Sequence, residues 1–186
     1  MFQSAESRYN QWVREHHRFL LRSGWALTGS RAVAEDVVQD CFTSAWKHRA
    51  QLRQHELAQA WQFRIMRRSA LRHLAPDTES LGDDNAAHDP AATDPRTDDR
   101  LDVVSALTRI ALIHREVLVL YYFDDMPTAQ MAEALEIAPG TVPSRLARAR
   151  AALKAAMVAA APAGAASQTP QASQASHAQV TALRRV

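Results

Sequence analysis

The chain has 186 residues, 47% of them hydrophobic, a single cysteine and a net charge of +2. That length builds one domain or two small ones, and the lone Cys41 excludes an intrachain disulfide and a cysteine-based zinc site. No basic start leads into an apolar run at the N-terminus, and no stretch approaches the roughly 20 apolar residues of a membrane span. The expectation is a soluble, cytoplasmic protein with no direct membrane insertion.

The small net charge hides an uneven distribution. Residues 1–75 carry 12 Lys/Arg against 6 Asp/Glu, residues 76–99 carry only Arg96 against eight acids, and residues 100–157 are close to neutral. Two folded segments joined by an acidic connector is the natural reading.

In chain order, Tyr9, Trp12, Val13, Phe19, Leu20 and Leu27 recur at three- and four-residue spacing, which predicts an amphipathic helix over about 5–27. Thr28-Gly29-Ser30 ends it. Ser30 is placed to cap a second helix over about 31–51, with Glu35 and Asp36 in its first turn. Its apolar stripe is Ala34, Val37, Val38, Cys41, Phe42, Ala45 and Trp46, and its other side shows Asp36, Gln39, Asp40 and Thr43. Cys41 lies within the stripe and reads as a small buried hydrophobe. Glu15-His16-His17 is the nearest approach to a ligand cluster and reads as a solvated helix face, so no metal or other cofactor is implied.

Residues 51–59 form a polar loop into a third helix over about 57–74. Here Trp61, Phe63, Ile65, Leu71 and Leu74 interleave with Arg64, Arg67, Arg68, Arg72 and His73. Guanidinium groups meet phosphates and rings stack on exposed bases, so the pattern suits nucleic acid. The plainer alternative makes Trp61 and Ile65 core and the arginines a solvated face. Residues 76–99 have no hydrophobic periodicity, three prolines and most of the acid, and read as a flexible linker.

Helix returns near Asp98 or Asp99 and runs through Leu101, Val104, Leu107, Ile110 and Leu112 to Tyr121 and Tyr122, until Asp124-Asp125-Met126-Pro127 breaks it. A short helix opening at Pro127 or Thr128, a glycine-containing turn at 136–140 and a second amphipathic helix then make a helix-turn-helix. In that last helix Val142, Leu146, Ala149, Leu153 and Met157 form one stripe, with Thr141, Ser144, Arg145 and Arg148 opposite. From Thr141 to Met157 there is no acidic residue, which suits a helix that reads DNA. Pro143 is tolerated only in a first turn, so the helix begins near Gly140 or Thr141, with Thr141 a candidate cap. Beyond about residue 158 the chain is Ala, Ser, Gln and Pro, a disordered tail by composition.

Two stretches resemble one family, the bacterial RNA polymerase sigma factors of the extracytoplasmic-function (ECF) group. Ala34-Glu35-Asp36-Val37-Val38-Gln39-Asp40-Cys41-Phe42 with Ala45-Trp46, and Ala60-Trp61-Gln62-Phe63-Arg64-Ile65-Met66-Arg67-Arg68, are similar to the family's region two. Arg115-Glu116-Val117-Leu118, Met131-Ala132-Glu133-Ala134-Leu135 and Gly140-Thr141-Val142-Pro143-Ser144-Arg145-Leu146 are similar to region four. The resemblance implies an all-α fold of two small helical domains, 5–75 and 100–157, the second containing the helix-turn-helix, with a flexible acidic linker at 76–99 and a tail at 158–186.

It also implies a function and divides it. Asp36, Gln39 and Asp40 would bind core RNA polymerase at the clamp helices of its largest subunit, with Phe42 and Trp46 holding the helix from behind. The loop at 51–59 would hold a base flipped from the minus-ten element of promoter DNA. Arg64, Arg67, Arg68 and Arg72 would engage the opened strand, and Thr141, Ser144, Arg145 and Arg148 would meet the minus-thirty-five element. An anti-sigma factor is the implied regulator. Nothing resembles a catalytic constellation, so the chain is expected not to be an enzyme and the polymerase carries the chemistry.

Five positions depart from the family pattern. Arg68 and Arg72 stand where Asn and Asp are usual, and Pro143 replaces a usual Lys or Arg. Ala111 and Leu112 replace prolines, which predicts that the helix there runs on unbroken. The alternatives from other classes are a stand-alone helix-turn-helix regulator, which would not need the Asp36/Gln39/Asp40 face, and an RNA-binding enzyme, which would need an active site.

Overall fold

Ser4 starts the first helix by accepting the Ser7 N–H on its Oγ at 3.0 Å, and α1 spans Ala5–Thr28. Gly29 closes α1 in the left-handed region at φ 78°, its N–H bonding Trp25 O at 2.8 Å, the conformation for which glycine is preferred after a helix. One residue later Ser30 opens α2 (Arg31–Lys47), its Oγ accepting from the Val33 N–H. Glu35 and Asp36 fall beyond the first turn, because the helix starts at Arg31. Gly24 of α1 lets the two helices approach closely, since a Cβ there would stand 3.3 Å from the Ala34 Cβ.

The computed structural model describes residues 4–74 and 95–160, with side chains for 4–74 and 102–159. Among them every element is helical. The second helix stops at Lys47, earlier than its periodicity suggests, and 3-10 turns at Arg49–Gln51 and His55–Leu57 lead into α3 (Ala58–Leu74). Most of the acidic connector and the tail beyond 160 lie outside the described residues. The second group begins with α4 (Pro95–Thr108), slightly before the position read from the sequence, followed by α5 (Leu112–Asp124), α6 (Thr128–Leu135) and α7 (Thr141–Ala160).

The expected unbroken helix through Ala111 and Leu112 does not form. The chain leaves α4 through tight turns, Arg109 N–H to Ala106 O and Ile110 N–H to Leu107 O, and Ala111 becomes the residue before α5. Proline is therefore not what makes this corner. The Arg115 guanidinium stabilises it by donating to the carbonyls of Thr108 (3.0 Å) and Ile110 (3.2 Å).

The two groups do not stand apart. α1 packs on α4 and α5, and α3 packs on α6. One apolar core runs from Leu20, Leu27 and Phe63 in the first group to Leu107, Leu118, Leu120 and Met131 in the second, all fully buried. Burying each large apolar side chain contributes about 1.5–3 kcal/mol, so closure has an apolar basis as well as an ionic one. A smaller cluster of Trp12, Ala45, Ala58 and Trp61 sits under the 51–57 loop.

Candidate nucleic-acid and polymerase interface

On α2, the stripe residues Val37, Val38, Cys41, Phe42 and Ala45 face the core, which turns Asp36, Gln39 and Asp40 outward. Among the described residues Asp36 makes no ion pair, whereas Asp40 leans towards α3. The Ser69 hydroxyl donates to Asp40 Oδ2 at 3.2 Å, and Arg72 Nη2 lies 3.8 Å from the same oxygen. A hollow of about 430 Å³ opens beside Gln39, lined by Tyr9, His17, Leu21 and Phe42. The Tyr9 hydroxyl donates to Phe42 O at 3.1 Å and its ring packs on Trp46 at 5.0 Å, so Phe42 and Trp46 do brace α2. Trp46 remains 36% exposed, at the end of the stripe, with the Arg49 guanidinium 4.0 Å from its ring.

Burial decides the aromatic question on α3. Trp61 and Phe63 are core, so they cannot stack on bases without unfolding the helix, and the rings belong to the plainer alternative. The arginines do share a face. Arg64, Arg68 and Arg72 line a cleft of about 550 Å³ that also takes in Asp40, His48 and Glu136, and Arg67 stands beside them on α3, turned towards Glu116. Each of the four is held by an acid, and three of them by the second helical group. Glu136 lies 3.0 Å from Arg68 Nη2, and 3.9 Å from both Arg64 Nη1 and Arg67 Nη1. Arg67 Nε also reaches Glu116 Oε1 at 2.6 Å.

Glu116 is 1% exposed, and its other oxygen has no hydrogen-bond partner. Farther along the boundary, the Gln59 amide donates to Asp124 Oδ2, and the Arg22 guanidinium sits 4.8 Å over the Phe123 ring. Burial pushes the Asp124 carboxyl above its ordinary range, with the Gln59 bond opposing that shift. Glu116 and Glu136 were not singled out from the sequence. The available signal was complementary charge, a short helix carrying Glu133 and ending at Glu136 against an arginine-rich one. Which faces meet is not written in either helix alone.

The helix-turn-helix forms as expected, but its turn does not depend on glycine. The left-handed residue is Glu136 at φ 56°, which closes α6 through bonds to Ala132 O and Glu133 O. A Cβ on Gly140 would meet nothing within 4 Å. α7 starts at Thr141, so Thr141 is the first helical residue rather than the cap, and Pro143 lies in the first turn. Val142, Leu146, Ala149 and Leu153 are buried, while Ser144 and Arg148 are exposed and Thr141 and Arg145 half-buried. Among the described residues no ion pair holds Arg145 or Arg148. Arg150, on the flank, is structural: its Nε donates to the Tyr122 hydroxyl at 2.9 Å and its guanidinium lies 4.9 Å from the Tyr121 ring.

Among the described residues no three or more His, Cys, Asp or Glu side chains gather as a metal site would require. Cys41 is fully buried and its thiol is pushed up to about 12 by burial, which makes it a poor nucleophile. His16 is engaged with Gln62 Oε1 at 2.5 Å. Among the described residues no helix is long and apolar enough to cross a membrane.

Two family models match the chain. The family model for sigma-70 region 2 matches residues 12–77, and that for sigma-70 region 4 matches residues 100–153. The ECF RNA polymerase sigma factor SigL of Mycobacterium tuberculosis is 35% identical over 139 residues, covering 71% of this chain and 78% of SigL. The RNA polymerase sigma factor NccH of Alcaligenes xylosoxydans xylosoxydans is 29% identical over 164 residues, covering 82% and 88%. Among solved structures, CnrH in complex with the cytosolic domain of CnrY superposes with a TM-score of 0.63 at 25% identity, covering 82% of this chain and 89% of CnrH. RpoE of Bartonella quintana, in complex with the anti-sigma factor NepR, shares the fold with a TM-score of 0.59 at 24% identity, covering 80% and 98%. The chain belongs to the ECF group of RNA polymerase sigma factors. It is accordingly a transcription initiation factor, a partner of core RNA polymerase that directs it to promoters.

Proposed function

We propose that this sigma factor works through three separate faces. The exposed Asp36, Gln39 and Asp40 side of α2 docks on the polymerase clamp helices, and the hollow beside Gln39 suits an apolar side chain from that partner. The arginine row of α3, Arg64, Arg67, Arg68 and Arg72, binds the phosphates of the opened minus-ten strand, and the 51–59 loop receives a flipped base. Flipping costs a few kcal/mol of unstacking, which the pocket and backbone contacts offset. Thr141, Ser144, Arg145 and Arg148 on α7 enter the major groove of the minus-thirty-five element, where an arginine on a guanine edge discriminates by about 1–3 kcal/mol. The domain limits 5–75 and 100–157 follow from this division. The factor acts in the cytoplasm and performs no catalysis itself.

The observation that carries the reading is the outer face of α7, where Ser144 and Arg148 are exposed on a helix-turn-helix and, among the described residues, no acid pairs with Arg145 or Arg148. Control by an anti-sigma factor is supported by the likeness to CnrH, whose structure was solved with the cytosolic domain of CnrY.

Transcription in vitro with core polymerase tests the assignment. Asp36→Ala/Gln39→Ala is expected to lose core binding and promoter-specific initiation while keeping its helical circular dichroism. Wild-type core affinity in the double variant removes the α2 assignment.

A further inference from the structure

The arginine row proposed to take the promoter strand is already occupied by the chain's own acids. A single carboxylate, Glu136, stands against Arg64, Arg67 and Arg68, at 3.9, 3.9 and 3.0 Å. Glu133, one turn earlier on α6, lines the hollow of about 400 Å³ formed by the 51–57 loop with Trp61 and Arg64. Glu116 of α5 holds Arg67 from the buried side at 2.6 Å. Carboxylates meet guanidinium groups with the same planar, charge-assisted hydrogen bonds that phosphates do.

Glu136 is also an unusual residue for its place. It occupies the left-handed position after α6, at φ 56°, where glycine or asparagine is favoured and a longer side chain is strained. Helix closure alone therefore does not call for a glutamate, whereas the arginine cluster across the boundary does. Among the described residues no acid pairs with Arg145 or Arg148 on the reading face of α7, and Arg148 is exposed.

We propose that α6, with Glu133 and Glu136, is an internal stand-in for the promoter strand. In the closed chain it masks the α3 face against single-stranded DNA and leaves α7 open to duplex. The partner displaced on opening is thus part of the protein itself. The inference rests on α3 being the strand-binding face, and adds that the second helical group competes for it.

The test uses the full chain and a fluorescein-labelled, mixed-sequence single-stranded DNA 12-mer, read by anisotropy at one fixed salt concentration, because such binding is strongly salt-dependent. Glu136→Gln removes the charge, and Glu136→Gly removes it while relieving the left-handed strain, so a folded protein is retained. Both are expected to bind the 12-mer about three- to tenfold more tightly than wild type, a gain of order 1 kcal/mol. Dyes on Thr43→Cys and Ala147→Cys should report a broader distance distribution in the same variants. Glu35→Gln makes the same charge change on an exposed α2 residue paired with Arg31, and an equal gain there overturns the proposal. Unchanged affinity in both Glu136 variants, with Arg68→Ala still weakening binding, overturns the masking alone. If Arg68→Ala in the Glu136→Gln background leaves binding unaltered, the strand-binding assignment falls and the masking falls with it.

Discussion

Arg67 Nε stands 2.6 Å from Glu116 Oε1, and this pair joins α3 of the first helical group to α5 of the second. Glu116 is 1% exposed while Arg67 is 21% exposed, so the acid is committed to the interior and the base can turn towards solvent. Breaking a buried pair from one side costs about 3–5 kcal/mol, because the remaining charge is left without compensation. Removing the buried acid instead leaves the more exposed Arg67, which water can solvate. Glu116→Gln is therefore expected to destabilise by only about 1 kcal/mol, and Arg67→Ala by more than Glu116→Gln. Denaturant unfolding of the two variants side by side checks the order, and a reversed order contradicts the geometry.

Among the described residues Arg148 has no ion pair, whereas the α3 arginines are held. Arg148→Ala should weaken recognition of minus-thirty-five duplex by about tenfold, within the range of one guanine-edge contact, and leave affinity for core polymerase within about twofold. Electrophoretic shift with holoenzyme, alongside titration of the free factor into core polymerase, separates the two. Equal loss of both would remove Arg148 from the list of DNA readers.

Gly29 joins two constraints at one atom. Its φ of 78° disfavours any side chain, and a Cβ there would lie 2.7 Å from Thr108 Cγ2 on the second helical group. Gly29→Ala is expected to cost about 1–2 kcal/mol from the backbone alone, with the contact adding to it. Thr108→Ser removes the clashing methyl group, so Gly29→Ala/Thr108→Ser should recover the contact portion and not the backbone portion. A double-mutant cycle on thermal midpoints reads the difference.

Cys41 supplies a pH-dependent check on the first group. Its thiol is pushed from 9.0 to about 12 in the folded chain by burial. The unfolded thiol ionises first, so this contribution to stability is fully present below pH 9.0 and is lost as pH rises towards 12. Near neutral pH the folded thiol is therefore protonated as well as shielded from solvent. Iodoacetamide should therefore label Cys41 at the rate of unfolding rather than at the rate of a free thiol. Rapid labelling under native conditions, followed by mass spectrometry, would contradict the burial of Cys41 in α2.

Local signals carried most of the helices. Ser30 caps α2 as its side chain suggests, the apolar stripe of α2 is the buried face from Ala34 to Ala45, and Pro143 falls in the first turn of α7. Errors arose where a residue answers to something distant in sequence. Trp61 looked equally suited to a base stack and to a core, and its environment is set by Trp12 of α1, with ring centroids 6.3 Å apart. The break before α5 was not legible because its carbonyls are satisfied by Arg115, a side chain five to seven residues onward. The candidate site was legible as a list of cations, Arg64 to Arg72 and Arg145 with Arg148. What the list lacked was that Arg64, Arg67 and Arg68 are held by Glu116 and Glu136, while among the described residues Arg145 and Arg148 have no ion pair, since that depends on which helix faces meet across the boundary.

Arg115 has a further consequence for how the chain assembles and comes apart. Besides Thr108 O and Ile110 O, its guanidinium reaches Leu27 O at 2.5 Å, so one rigid fork ties the end of α1 to the α4–α5 corner. The corner's own carbonyls are satisfied within the second helical group, and the third acceptor, Leu27 O, is the one that the first group supplies. Separation pulls one of the fork's three acceptors away and leaves Arg115 to redistribute among the others. The carbonyl at the end of α1 therefore shares a single guanidinium with the turn that sets the course of α5, and any displacement of α1 would be felt first at that turn.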